Sequence, residues 1–266
     1  MSELYYLPLA LFGVLLGAAL NVLADNLPAG RWPARPACAH CGQPHPPHQW
    51  VALAALLFGG RCQHCGTRIG LRHSLVELAA ALALVYIWAR WGGSLVFVFN
   101  AVVTLWLLLI TVIDAEHRLI LRVVVYPAAV FALVWGLLDP DKGVSRTLVG
   151  GAVGFGITYL FYLFGRVFSR VAGRLRGEEL SEVAFGWGDV NFGLFIGLAV
   201  GWPSVMFALF IAVLAGGLAG ALLLVFTRLR GHNAAFLAMP YGPFLALGAL
   251  TMLLWGRELA AWYLSR

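Results

Sequence analysis

Long apolar runs separated by short polar turns constrain this chain more than any other feature, because roughly 17–25 apolar residues suffice to cross a bilayer as a helix. Such runs recur near residues 4–24, 74–91, 95–113, 119–138, 146–167, 189–202, 203–227 and 238–262. The sixth and seventh meet at Gly201-Trp202-Pro203 and also read as one bent element. Of the 266 residues 61% are hydrophobic and only 11% charged, where soluble domains carry about a quarter charged residues. The expected fold is an all-α polytopic membrane protein with about eight transmembrane helices. The first run lacks a basic leader region and a small-residue cleavage pattern, so it reads as a retained helix.

Between the first two runs lies the one stretch of soluble character, residues 25–73, with Pro at 28, 33, 36, 44, 46 and 47. It is too short to build a large apolar core of its own. The expected organisation is a first helix over 1–24, a cytoplasmic segment over 25–73, and helices 2–8 over 74–266. All four cysteines fall inside that segment, as CAHC at 38–41 and CQHC at 62–65. Two C-x-x-C pairs at this separation match a tetrahedral zinc site made by Cys38, Cys41, Cys62 and Cys65, with Gly42 and Gly66 permitting each turn. Four thiolates close the coordination shell, so the metal is structural and holds together a segment unable to fold alone. The alternative is a pair of disulfides, which seldom persist in a reducing compartment.

The compartment follows from the basic residues, 17 of 18 being Arg. Cytoplasmic loops near span ends carry the excess of Lys and Arg. Placing 25–73 inside gives thirteen basic residues on that side and five on the other, with both termini outward. This topology accounts for the net charge of +6 without any nucleic-acid partner. Arg166, Arg170 and Arg174 share one helical face, which reads as a surface for lipid headgroups.

Acids are scarce in this chain, and a charged side chain inside a membrane usually faces a protein interior or a watery cavity. Asp114 closes the third run and Asp189 opens the sixth, so both fall at the cytoplasmic edge. Two carboxylates level in the bilayer can meet across a helix interface and share one proton. One then acts as base toward water while the other donates to a peptide carbonyl, which is amide hydrolysis without an acyl-enzyme. No Ser nucleophile pattern competes. Gly186 and Gly188 leave room beside Asp189 for an extended substrate, and Gly193, Gly197 and Gly201 form a small-residue stripe suited to close helix packing that draws Asp114 near. Simpler readings stand beside these: an ion pair of Asp114 with Arg118, and Asp189 as a first-turn residue satisfied by backbone amides.

At these residues the sequence resembles the bifunctional prepilin leader peptidases, the type IV prepilin peptidase/N-methyltransferases, which are membrane aspartyl proteases of the GxGD kind. The resemblance rests on GAALNVLADNLP (17–28), the two C-x-x-C pairs, RHSLVELAAA (72–81), IDAEHRLI (113–120), GWGD (186–189) and MPYGPFLALGAL (239–250), in matching order and spacing. It implies that Asp114 and Asp189 are the catalytic pair of an endopeptidase in the bacterial cytoplasmic (inner) membrane. It also implies removal of the basic leader of type IV prepilins or pseudopilins, followed by N-methylation with S-adenosylmethionine as donor. Asn21, Asp25 and Glu77 are candidates for the donor's pocket, and Asp25 and Glu77 are equally suited to pair with local arginines. Asn26 stands where the family commonly has Arg, and Asn191 where Lys is usual. The competing readings are a GxGD protease without methyl transfer and, outside the enzymes, a proton-coupled transporter or scaffold.

Overall fold

The computed structural model describes residues 5–32, 35–38, 40–57, 59–68, 70–139, 142–176, 185–230 and 239–264. Among them there are nine α-helices and no strand, only two isolated bridges in the cysteine segment. The helices are α1 (Tyr6–Asn26), α2 (Ala52–Leu57), α3 (Leu71–Trp91), α4 (Leu95–His117), α5 (Arg122–Leu138), α6 (Val144–Arg176), α7 (Trp187–Val200), α8 (Ser204–Leu229) and α9 (Gly242–Leu264). Leaving aside the short α2, they coincide with the eight expected runs. The stretches Tyr6–Ala29, Leu71–Trp91, Leu95–His117, Val144–Val171 and Ser204–Leu229 are long and apolar enough to span a bilayer, while α5 and α7 are shorter apolar helices.

Two element ends complete the comparison with the expected runs, one at a joint left open and one at a boundary that moves. The sixth and seventh runs are separate helices, because the chain reverses at Gly201, whose φ of 74° suits glycine. The Trp202 N–H then bonds to the Arg146 carbonyl at 2.9 Å. The fifth run does not end near 167 but stays helical to Arg176, about 50 Å in all at 1.5 Å per residue. Arg166 and Arg170 are exposed on its last turns, and the side chain of Arg174 lies outside the described residues.

The chain forms two compact units, Met1–Val112 and Ile113–Arg266. In the first, α1 packs on α3 through Gly13 and Gly17. A methyl at Gly13 would stand 2.5 Å from the Ala81 Cα, and one at Gly17 2.5 Å from the Glu77 Cα, so only glycine allows this approach. In the second unit α7 is the central element. Val190, Phe192, Phe195 and Ile196 are fully buried, and α5, α6, α8 and α9 all pack against it.

The glycine stripe on α7 explains that burial. Added methyls at Gly193 and Gly197 would run into Thr158 and the Gly150 carbonyl, and those at Gly150 and Gly154 would run into the Gly197 and Gly193 carbonyls. Backbone therefore lies on backbone along α6 and α7. The partner of the stripe is α6, not the aspartate-bearing α4 that the sequence suggests.

Candidate active site and metal centre

The cysteine segment is built from two copies of one turn. In the first, the Gly42 N–H bonds to the Cys38 carbonyl and the Cys38 N–H to the Gln43 carbonyl; in the second, Gly66 bonds to Cys62 and Cys62 to Thr67. Gly42 and Gly66 have φ of 70° and 72°, the left-handed conformation that closes each knuckle. The four Sγ atoms lie within 4.8 Å of one another, with Cys38 to Cys65 at 3.6 Å and Cys41 to Cys62 at 3.8 Å.

Sulfurs around a tetrahedral zinc with Zn–S bonds of about 2.3 Å are about 3.8 Å apart, whereas a disulfide bond is about 2.05 Å. The donor set therefore fits a zinc ion. Its electrostatics agree: the Thr67 hydroxyl and then its backbone amide hold the Cys65 thiol down to about 6. Although the Gln43 amide opposes it, desolvation and the neighbouring sulfurs push Cys41 up to about 11. Crowded thiols resist losing every proton until a cation sits among them.

Asn21, Asp25 and Glu77 gather in the same unit, and protein groups already engage them. Glu77 is 1% exposed and accepts the Ala52 and Leu53 N–H groups at 2.7 and 2.8 Å, holding the start of α2. Asp25 accepts Arg72 at 2.7 Å and faces His73 Nε2 at 3.1 Å. Asn21 donates to the His73 carbonyl at 2.9 Å and accepts Arg72 at 3.3 Å. The local-arginine reading thus describes Asp25, while Glu77 pairs with amides instead. Asn26 turns back on its own helix, donating to the Val22 carbonyl.

The second unit brings Asp114 and Asp189 within electrostatic reach of each other. Asp114 lies in the last turn of α4 and is 5% exposed. Its Oδ2 accepts the Gly242 N–H at 2.8 Å, a contact spanning 128 residues. The helix ends at Arg118, which adopts φ of 54° and gives its N–H to the Asp114 carbonyl. Among the described residues no ion pair joins Asp114 to Arg118. Glu116 is exposed beside His117 at 4.0 Å.

Asp189 occupies the third position of α7, and its Oδ2 accepts the Gly186 N–H at 2.7 Å. The first-turn reading is therefore realised for one oxygen. Gly188 serves packing: a methyl there would meet Ile120 Cβ at 2.8 Å, whereas around Gly186 the nearest atom is Asp189 Oδ2 at 3.5 Å. Trp187 stands edge-on to Phe155, Tyr159 and Tyr162 of α6. Asn191 is buried and donates to the Trp187 carbonyl at 3.1 Å, so it brings no charge to this turn.

Two groups escape a reading of the sequence alone. Gly242 belongs to a motif that carries the family resemblance, yet nothing local reveals that its N–H holds Asp114. Lys142, the single lysine of the chain, is counted among outward loop charges by its surroundings in sequence. Its Nζ instead donates to the Leu198 and Ala199 carbonyls at 2.7 and 2.6 Å, capping the end of α7, and burial pushes its pKa down to about 8.

Comparison with known proteins matches the chain in two blocks. The family described as Bacterial Peptidase A24 N-terminal domain matches residues 11–91, the block holding all four cysteines. The Type IV leader peptidase family matches residues 101–221, the block holding both aspartates. A prepilin leader peptidase/N-methyltransferase of Pseudomonas aeruginosa is 29% identical, covering 96% of this chain and 92% of its own length. Proteins of the same name from Pseudomonas putida and Aeromonas hydrophila are each 27% identical, covering 98% of this chain and 94% of their own. No solved structure matches the chain. Matched in two blocks that between them contain both cysteine pairs and both aspartate motifs, the chain belongs to the type IV leader peptidase family.

Proposed function

We propose that this protein is a membrane aspartyl endopeptidase that removes the basic leader of type IV prepilins or pseudopilins and methylates the new N-terminus with S-adenosylmethionine. The observation that carries the peptidase reading is that Asp114 and Asp189 lie within electrostatic reach of each other, each with one oxygen held by a backbone amide. An amide-held carboxylate is fixed in orientation and keeps its second oxygen for the reaction. One acid, ionised, takes a proton from water as that water attacks the scissile carbonyl carbon. The other, protonated, donates to the carbonyl oxygen. Collapse of the resulting gem-diol breaks the C–N bond: one hydroxyl returns a proton to the acid that donated it, and the amine leaves with the proton that the base took up. The names of the relatives support the choice of substrate.

Cys38, Cys41, Cys62 and Cys65 would hold a zinc ion that ties the two knuckles together and takes no part in these steps. S-adenosylmethionine, when bound, supplies an electrophilic methyl group. Asp25, whose side chain is 44% exposed, is the residue suited to receive the donor's ammonium or ribose hydroxyls. Asn21 and Glu77, both buried, hold the cluster from within. The arginine distribution supports an inner-membrane protein whose peptidase site and cysteine segment face the cytoplasm. The test is mass spectrometry of a prepilin incubated with the purified protein and S-adenosylmethionine. The expected product lacks its leader and carries one added methyl. A shortened but unmethylated product reduces the reading to a plain peptidase, which the uncharged Asn26 and Asn191 would then explain. An uncut prepilin rejects the reading.

A further inference from the structure

The segment Pro240-Tyr241-Gly242-Pro243 lies beyond the matched block 101–221, yet it touches both aspartate-bearing elements. Gly242 gives its N–H to Asp114 Oδ2. Tyr241, one residue earlier, packs its ring on Phe185 at 4.8 Å between centroids, and Phe185 directly precedes the Gly186 that holds Asp189. The Tyr241 hydroxyl and Asp189 lie within electrostatic reach of each other.

Its position is over-determined. The Tyr241 carbonyl accepts the Phe244 and Leu245 N–H groups, the first bonds of α9. Proline on either side restricts the backbone. Phe244 lies 6.1 Å away on one side of the ring, and Gly216 of α8 makes room on another, where a methyl would stand 2.8 Å from Cε2. For all this support of the ring, the hydroxyl bonds to no partner among the described residues.

We propose that Tyr241 is a third catalytic residue, its hydroxyl donating a hydrogen bond to the scissile carbonyl oxygen during water attack. As the new C–O bond forms, the carbonyl π electrons move onto that oxygen, and a donor already in place stabilises the charge without transferring its own proton. The aspartates still carry every proton that moves. A neutral phenol suits the task beside two acids, where a cationic donor would pair with them in the resting state.

This inference rests on the aspartyl-peptidase reading, and the experiment separates the two. Prepilin cleavage is measured for wild type, Tyr241→Phe, Tyr241→His, Asp114→Asn and Asp189→Asn, with zinc content and thermal transition recorded for each. Tyr241→Phe keeps the ring and is expected to lose about 100-fold in kcat, the loss typical of one oxyanion donor, with KM within about 2-fold. Tyr241→His returns a donor and recovers part of the rate. Wild-type kcat in Tyr241→Phe while both aspartate variants are inactive overturns the role of Tyr241 alone. Loss of activity together with zinc and the thermal transition also overturns it, because the hydroxyl would then be structural. Full activity in either aspartate variant overturns the peptidase reading itself.

Discussion

At the scale of single residues, Gly242 shows how one absent atom can set a site. A Cβ there would lie 2.6 Å from Asp114 Oδ2 and 2.9 Å from Cγ, so the carboxylate has to leave its amide to make room. Gly242→Ala is therefore expected to lower prepilin cleavage by at least about 10-fold, the scale of losing one charge-assisted hydrogen bond, while zinc content stays at the wild-type level. Steady-state kinetics with a prepilin peptide checks this, and an unchanged kcat would show that the contact is dispensable. Asp114 and Asp189 were legible in sequence because acids stand out in an apolar chain. Gly242 and Lys142 were not, since each acts on an element 50 or more residues away and has ordinary neighbours in sequence.

Among the elements, local chemistry was the most readable. Each knuckle closes within five residues, so C-x-x-C followed by Gly already specifies it. Cys38→Ser is expected to strip the zinc and lower the thermal transition, as judged by metal analysis of the purified protein. Retention of one zinc per chain would contradict the four-thiolate site. Protons compete with zinc for these sulfurs. Zinc content should therefore fall as the pH is lowered, as metal analysis across a pH series would show. Helix pairing was only half readable: the α7 stripe of Gly193 and Gly197 announces a close partner without naming it. Gly150 and Gly154 of α6 supply it. Gly197→Leu forces the two backbones apart, at a cost of about 1–3 kcal/mol for overpacking. It should lower the melting temperature and the cleavage rate together; unaltered values of both would mean the helices can separate freely.

For the whole molecule, composition and the spacing of apolar runs were enough for the helical class and for the places of the eight longer helices among the described residues, because runs of bilayer-spanning character stand out in sequence. Less readable was the company each helix keeps. The polar cluster of Asn21, Asp25, Arg72 and His73 and the Glu77 contact to α2 arise from pairings across about 25 to 50 residues, which no local pattern encodes. The proposed peptidase chemistry, in turn, rests on two acids that only tertiary structure brings within electrostatic reach. The most direct test is the rate of prepilin cleavage by Asp114→Asn and Asp189→Asn, each purified with its zinc and thermal transition intact. Both are expected to fall to the background of uncatalysed hydrolysis; wild-type cleavage by either protein would contradict a catalytic pair of aspartates.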